Sequence, residues 1–238
     1  MRVPFVAYAV ALVIAAALVL VFLSGASLRP DPGKPALPAV TVREVVADSA
    51  YRAALVGGFA NGWTNFGVRV ALTPLFIHAV IGTDTRLPGL ALAAFAVGNG
   101  VGLTTAGRIT DRVGRKPLIV LGLLVSAVFT SVLGWCTVFW LVLVVSVLAG
   151  VGAGLVNPAQ QAAVADVIRH DRSGGKVLAA FQMAQDTGTI VGPILVGLIV
   201  DAWGFVPAFL LTGVIAALAA LAWTTARETL PVHEAAPR

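Results

Sequence analysis

Charge is scarce in this sequence. Only 11% of its 238 residues are Asp, Glu, Lys or Arg, whereas soluble domains carry roughly 25%. So little charge cannot clothe a folded surface in water, and a soluble single domain is excluded. Cysteine is almost missing as well. Cys136 stands alone, which excludes an intramolecular disulfide and a cysteine metal cluster. The three histidines, His78, His170 and His233, lie too far apart for a local metal-binding pattern. No nucleophile triad, zinc spacing or phosphate-cradling loop occurs, so neither catalysis nor a cofactor has support.

What is present is apolar. Hydrophobic residues make up 58% of the chain, and runs of about 20 residues, the length that crosses a bilayer as a helix, recur from end to end. Seven stretches stand out: Pro4–Leu23, Ala53–His78, Leu90–Ala106, Pro117–Trp135, Val138–Val156, Val177–Val200 and Val206–Trp223. Backbone in hydrocarbon must satisfy its own N–H and C=O groups. Without an alternating pattern these runs are helices and not barrel strands. The expected fold class is therefore all-α, a polytopic bundle of about seven transmembrane helices. The first run, after Met1 and Arg2, also fits a secretory signal peptide with Ser24, Gly25 and Ala26 as cleavage site. It exceeds the about 7 to 15 residues of a signal core, so a spanning helix is expected.

Sixteen Lys and Arg against eleven Asp and Glu would point to nucleic acid in a soluble chain. Here the cations sit in connectors and act as topology signals, so the expected partner is the lipid bilayer and not nucleic acid. Thirteen of the sixteen fall on one side: Arg29, Lys34, Arg43, Arg52, Arg108, Arg112, Arg115, Lys116, Arg169, Arg172, Lys176, Arg227 and Arg238. The positive-inside rule makes that side cytoplasmic. It puts the N-terminus outside and the C-terminus inside a cell membrane. Residues 1–24 are then a spanning helix, and 25–50, rich in proline at Pro30, Pro32, Pro35 and Pro38, a cytoplasmic linker. Residues 51–226 form a six-helix bundle and 227–238 a cytoplasmic tail.

The third and fourth runs are joined by Gly107-Arg108-Ile109-Thr110-Asp111-Arg112-Val113-Gly114-Arg115-Lys116-Pro117. The sequence predicts a tight turn here, with Gly107 permitting close helix approach and Gly114 a left-handed conformation. Asp111 lies among four cations and can bond to them or to a neighbouring helix N-terminus, as a latch that holds when bundles close at that face. A solvated, topology-setting loop is the plainer alternative.

The pattern Gly107-x-x-x-Asp111-Arg112-x-Gly114-Arg115-Lys116 resembles the loop motif of the major facilitator superfamily (MFS). In that family it lies in the cytoplasm between the second and third or, often more degenerately, the eighth and ninth helices. The resemblance implies a latch role for Asp111, with Arg112, Arg115 and Lys116 as its cations. Gly150-Val151-Gly152-Ala153-Gly154, running on through Asn157-Pro158 to Asp166, resembles both the fourth and the tenth family helices. Where the first half commonly has an arginine, this chain has Ser146. With the extra first span and the long basic linker, this favours the C-terminal half, helices six to twelve, with helices one to five absent. The resemblance implies transport of a small solute by alternating access, in an incomplete chain that needs a separate N-terminal half or another copy. A proton-coupled efflux carrier for drug-like molecules is the expected subtype. The rival class is a non-transporting remnant, scaffold or regulatory partner.

Inside the spans, Asn61, Asn65 and Arg69 recur every four residues and so share a helical face. They line a cavity, or the Asn pair glues helices while Arg69 snorkels outward. Gln182, Asp186 and Thr189 share a face of the sixth run. Asp186, the one acidic residue well inside a span, is read as a proton carrier, as cavity polarity without coupling, or as a hydrogen-bonded packing residue. Gly188-x-x-x-Gly192-Pro193-x-x-x-Gly197 allows backbone-to-backbone packing and a kink. It looks like the Gly-Pro motif of drug and proton antiporters, although that motif belongs to the fifth family helix. Gly98, Gly100 and Gly102, with Asn99, read as packing positions.

Overall fold

A computed structural model describes residues 3–23, 38–169 and 172–230. The expected cleavage site, Pro30, Pro32 and Pro35 of the linker and the tail beyond residue 230 lie outside the described residues. The first unit contains helix α1, Val3–Leu23, apolar on every face. A second unit begins at Pro38 and holds everything that follows.

That unit opens with Ala39 bridged in parallel to Ser173 and a single-turn helix, α2, Val42–Val45, started by Thr41. Six helices of membrane-crossing length and hydropathy follow: α3 Ser49–Ile81, α4 Leu87–Val113, α5 Arg115–Leu133, α6 Phe139–Ile168, α7 Gly175–Trp203 and α8 Phe205–Thr224. The described residues hold no named strand, only that bridge. Every span extends past its apolar run at one end or both, furthest in α6, which continues from Val156 to Ile168. In α3 the Asp48 carboxylate accepts from the Ala50 amide, so the cap lies before the apolar residues begin. The helix also contains two wide π stretches, Gly62–Val68 and Ile77–Ile81.

Helices α4 and α6 touch through glycine. A Cβ on Gly98 would fall on the Val147 carbonyl, on Gly102 on that of Val151, on Gly150 on that of Phe95 and on Gly154 on that of Asn99. Two small-residue ladders at four-residue spacing thus interlock, the arrangement that lets backbones meet in hydrocarbon, where apolar burial gives no drive to associate. Helices α3 and α7 repeat the device, with Gly62 under the Gln185 carbonyl, Gly188 under that of Phe59, and Gly192 against Trp63. Pro193 stays inside an unbroken α7 and packs on Gly67. Gly197 and Gly100 meet nothing. The remaining seams join α5 to α6 and to α8, where Gly213 faces Ser131.

Helices α4 and α7 are the least covered. Only 17% of the most apolar stretch of each is buried, against 39% to 56% in the other four. Exposed Val97 and Val101 on α4, and Met183, Ile190, Ile194 and Leu198 on α7, mark their open faces.

Candidate functional site

The five candidate polar residues inside the spans, Asn61, Asn65, Arg69, Gln182 and Asp186, divide into two groups. The first is interior. Asn61, Asn65 and Arg69 are all buried. Asn65 Nδ2 donates to Asn61 Oδ1 at 2.7 Å, and Asn61 Nδ2 to Asn157 Oδ1 on α6 at 2.7 Å. Arg69 does not snorkel, and among the described residues it meets no carboxylate. Its Nη2 donates to Thr130 Oγ1 on α5 at 2.9 Å, and its guanidinium carbon lies 4.2 Å from the centre of the Phe95 ring on α4. The arginine thus bridges three helices through one hydrogen bond and a cation–π contact. Among the described residues its Nε, Asn65 Oδ1 and the Thr73 and Ser126 hydroxyls are buried without a protein partner.

The second group is on the open face. Gln182 and Asp186 on α7 are exposed, and Gln182 Nε2 donates to Asp186 Oδ1 at 3.0 Å. A carboxylate and an amide one helical turn apart, flanked by Met183 and Ile190, make a polar island on an apolar face. Among the described residues no ion pair joins Asp186 to Arg69.

At the end of the bundle rich in cations, the motif residues take a form the sequence reading missed. The expected turn from Gly107 to Pro117 is mostly helix: α4 continues through the motif to Val113, and α5 starts at Arg115. No helix breaker stands between Gly107 and Gly114, and the Thr110 hydroxyl bonds to the Ala106 carbonyl one turn back. Gly114 alone makes the break, at φ +100° and ψ 163°, where a side chain would be strained. Gly107 is exposed and meets no neighbour, so no helix approaches it closely in this bundle. The side chains of Asp111 and Arg112 lie outside the described residues.

The other motif cations are engaged within the bundle. Arg115 Nε donates to Asp166 Oδ2 of α6 at 2.5 Å, with Nη2 reaching Oδ1 at 3.4 Å. The carboxylate of Glu228, beyond α8, accepts from the amides of Arg115 at 3.0 Å and Lys116 at 3.2 Å, capping the first turn of α5. Lys116 Nζ donates to the Ala226 carbonyl at 2.8 Å. Arg227 grips both oxygens of Asp48, and its amide donates to Ser49 Oγ at 3.1 Å. The ends of α3, α8, α5 and α6 are thereby tied in sequence by Asp48, Arg227, Glu228, Arg115 and Asp166, alternating in sign.

Burial raises the Asp48 carboxyl, but bonds from Arg227 and the Ala50 amide outweigh it and hold its pKa below the ordinary value. Glu228 is likewise desolvated, yet four backbone amides bring its pKa below the usual range. The hydrogen bond to Asp48 raises the pKa of Arg227, against the smaller effect of its burial. Asp48, Asp166, Arg227 and Glu228 escaped the sequence reading as a linked set because each flanks an apolar run. The available signal was an unpaired acid or base at every helix end on one side.

The family model for the Major Facilitator Superfamily matches residues 54–237, most of the chain. The chain belongs to that superfamily. It is 34% identical over 182 residues to Multidrug resistance protein 2 of Bacillus subtilis (strain 168), covering 76% of this chain and 44% of that protein. It is 30% identical over 169 residues to a multi-drug resistance efflux pump PmrA homolog of Lactococcus lactis subsp. lactis (strain IL1403), covering 70% and 41%. The fold matches a crystal structure of a mutant peptide transporter POT in complex with sulfate, at a TM-score of 0.66 and 19% identity, over 78% of this chain and 41% of that one. The chain thus spans less than half the length of these relatives and is a multi-pass membrane protein with the helical bundle of an MFS fragment.

Proposed function

We propose that this MFS chain is the C-terminal bundle of a transporter that moves a small, drug-like solute outward by alternating access, coupled to protons. The observation that carries the reading is the Gln182–Asp186 pair on the poorly covered face of α7. A polar island in an apolar membrane face is costly against lipid, and covering it with a second bundle turns it into part of a central cavity. Multidrug relatives support the substrate class. Asp186, the carboxyl on that face, is the candidate proton carrier of the covered cavity. Arg69 and the Asn61–Asn65–Asn157 chain brace the bundle that carries this face. The distribution of its cations supports a cytoplasmic basic end, with the C-terminus on the same side and the N-terminus outside. The motif residues from Gly107 to Lys116 then form a cytoplasmic latch, with Arg115 and Lys116 holding the turn and Asp111 meeting the other bundle.

The test is reconstitution of the chain with a separately expressed N-terminal bundle in vesicles loaded with an amphipathic fluorescent dye. An imposed proton gradient should drive dye movement. Asp186→Asn should abolish gradient-driven movement while leaving dye exchange without a gradient largely intact. Undiminished gradient-driven transport by a well-expressed Asp186→Asn protein would remove the proton role. Transport by the chain as a monomer would overturn the need for a second bundle.

A further inference from the structure

A groove between the first turn of α3 and the last turn of α8 has no part in that reading. It encloses about 330 Å³ and is lined by Ser49, Arg52, Ala53, Val56, Ala222 and Thr225, within the roughly 300 to 1,000 Å³ of small-ligand clefts. Ala53, Val56 and Ala222 give it an apolar lining. Its polar groups gather where Ser49 opens one span and Thr224 closes the other. The cleft therefore runs from headgroup level into the apolar layer, where the surrounding solvent is lipid.

Charge selects among lipids. Arg52 is exposed, and among the described residues its guanidinium donates only to the Val46 and Ala47 carbonyls, each at a long 3.4 Å. The neighbouring guanidinium of Arg227 is committed to Asp48. Because the Arg227 amide donates to Ser49 Oγ, the Ser49 hydroxyl keeps its own proton to donate. Two arginines face one carboxylate at the mouth, which leaves positive charge in excess. Glu228, the other acid nearby, is turned onto the α5 amides. An apolar trough with a guanidinium and a hydroxyl at its headgroup end fits a negatively charged phosphodiester carrying an acyl chain.

We propose that the α3–α8 groove binds one anionic glycerophospholipid, its phosphate on Arg52 and Ser49 and one acyl chain along Ala53, Val56 and Ala222. The site depends on the chain spanning a membrane and not on what it transports. Occupancy ties the start of α3 to the end of α8 beside the Asp48–Arg227 pair.

Native mass spectrometry of the purified chain in mild detergent tests this, with titration by phosphatidylglycerol, by phosphatidylcholine of the same acyl chains, and by glycerol phosphate. The wild-type chain should retain one phosphatidylglycerol about fivefold more tightly than phosphatidylcholine, the effect of one basic residue at an anionic lipid surface. Arg52→Gln should bring the two lipids level, and Arg52→Lys should keep a preference. Ala222→Phe, which fills the trough, should weaken both lipids, with helicity checked by circular dichroism. The proposal is overturned if Arg52→Gln retains the preference, if the wild-type chain binds both lipids equally, if Ala222→Phe binds as the wild type does, or if glycerol phosphate is retained without a tail.

Discussion

The seam between α4 and α6 and the open face of α7 are both built from small and polar residues in apolar surroundings, yet they solve opposite problems. Along the seam, glycines bring backbone onto backbone and leave no room for a methyl group. On α7 the polar pair Gln182 and Asp186 points away from the bundle, satisfied by itself and by whatever lies outside. The seam holds two helices at backbone contact, and the face leaves polar groups uncovered. Glycine in a membrane helix therefore carries different weight by position. Gly102 is enclosed by α6, while Gly100, two residues away, meets nothing.

Substituting those two glycines breaks the comparison most forcefully. Gly102→Ala should force α4 and α6 apart and cost about 1 to 3 kcal/mol or more, as overpacking does. Gly100→Ala should leave thermal unfolding in detergent unchanged or slightly improved. Equal effects would mean that the seam is not what holds α4. The same contrast holds for the polar groups. Arg69→Met should destabilise by about 2 kcal/mol, because it strips Thr130 and Phe95 of their shared partner. Asp186→Asn, on the open face, should stay within about 0.5 kcal/mol of wild type in the same unfolding assay. At the basic end, Asp166→Asn should cost roughly 1.5 kcal/mol by weakening the two bonds from Arg115.

Acid should loosen that end before the seam. Asp48 and Glu228 have lowered pKa values when folded. Their contribution is complete above the unfolded carboxylate pKa of about 4 and is lost as pH falls through the lower folded values. Hydrogen exchange measured between neutral pH and pH 3 should therefore show earlier opening at Ser49–Ala53 and Arg115–Leu118 than at Gly150–Gly154. Uniform opening would contradict the distinction. The smallest effect concerns Cys136. It lies in the short connector between the fourth and fifth apolar runs and is buried there, with Sγ 3.6 Å from the Val132 carbonyl. An impermeant thiol reagent should modify the native chain slowly, whereas cysteine at exposed Trp135 or Val138 should react quickly from one side of the membrane.

The number of helices and their order were legible because hydrocarbon imposes a length on every span. Gly98, Gly102, Gly188 and Gly192 were legible as small residues at helical spacing, but their partners were not. That Gly150 lies on the Phe95 carbonyl while Gly107 and Gly197 lie on nothing is decided by where helices cross, which depends on the tertiary packing of all six. The shared periodicity of Asn61, Asn65 and Arg69 was visible. Which way their face turns was not, since a polar stripe looks alike whether it lines a cavity or braces an interior. The motif is legible by its spacing, but its helical continuation to Val113 is not, because glycine and charge together resemble turn chemistry. Asp166 and Glu228 reach it only through chain reversals that local sequence does not encode.

Membrane thickness is where the unequal lengths of these helices have a mechanical consequence. At about 1.5 Å per residue α3, with 33 residues, is about 50 Å long, whereas α5 and α8, with 19 and 20, are each about 30 Å. The two short helices match a typical hydrocarbon layer and lie side by side, so along their edge the bilayer has little freedom to thicken. The long helices α3, α6 and α7 accommodate the same layer by tilting or by projecting beyond it. A thicker bilayer is therefore expected to be mismatched first at α5 and α8, the two helices with the least length to spare.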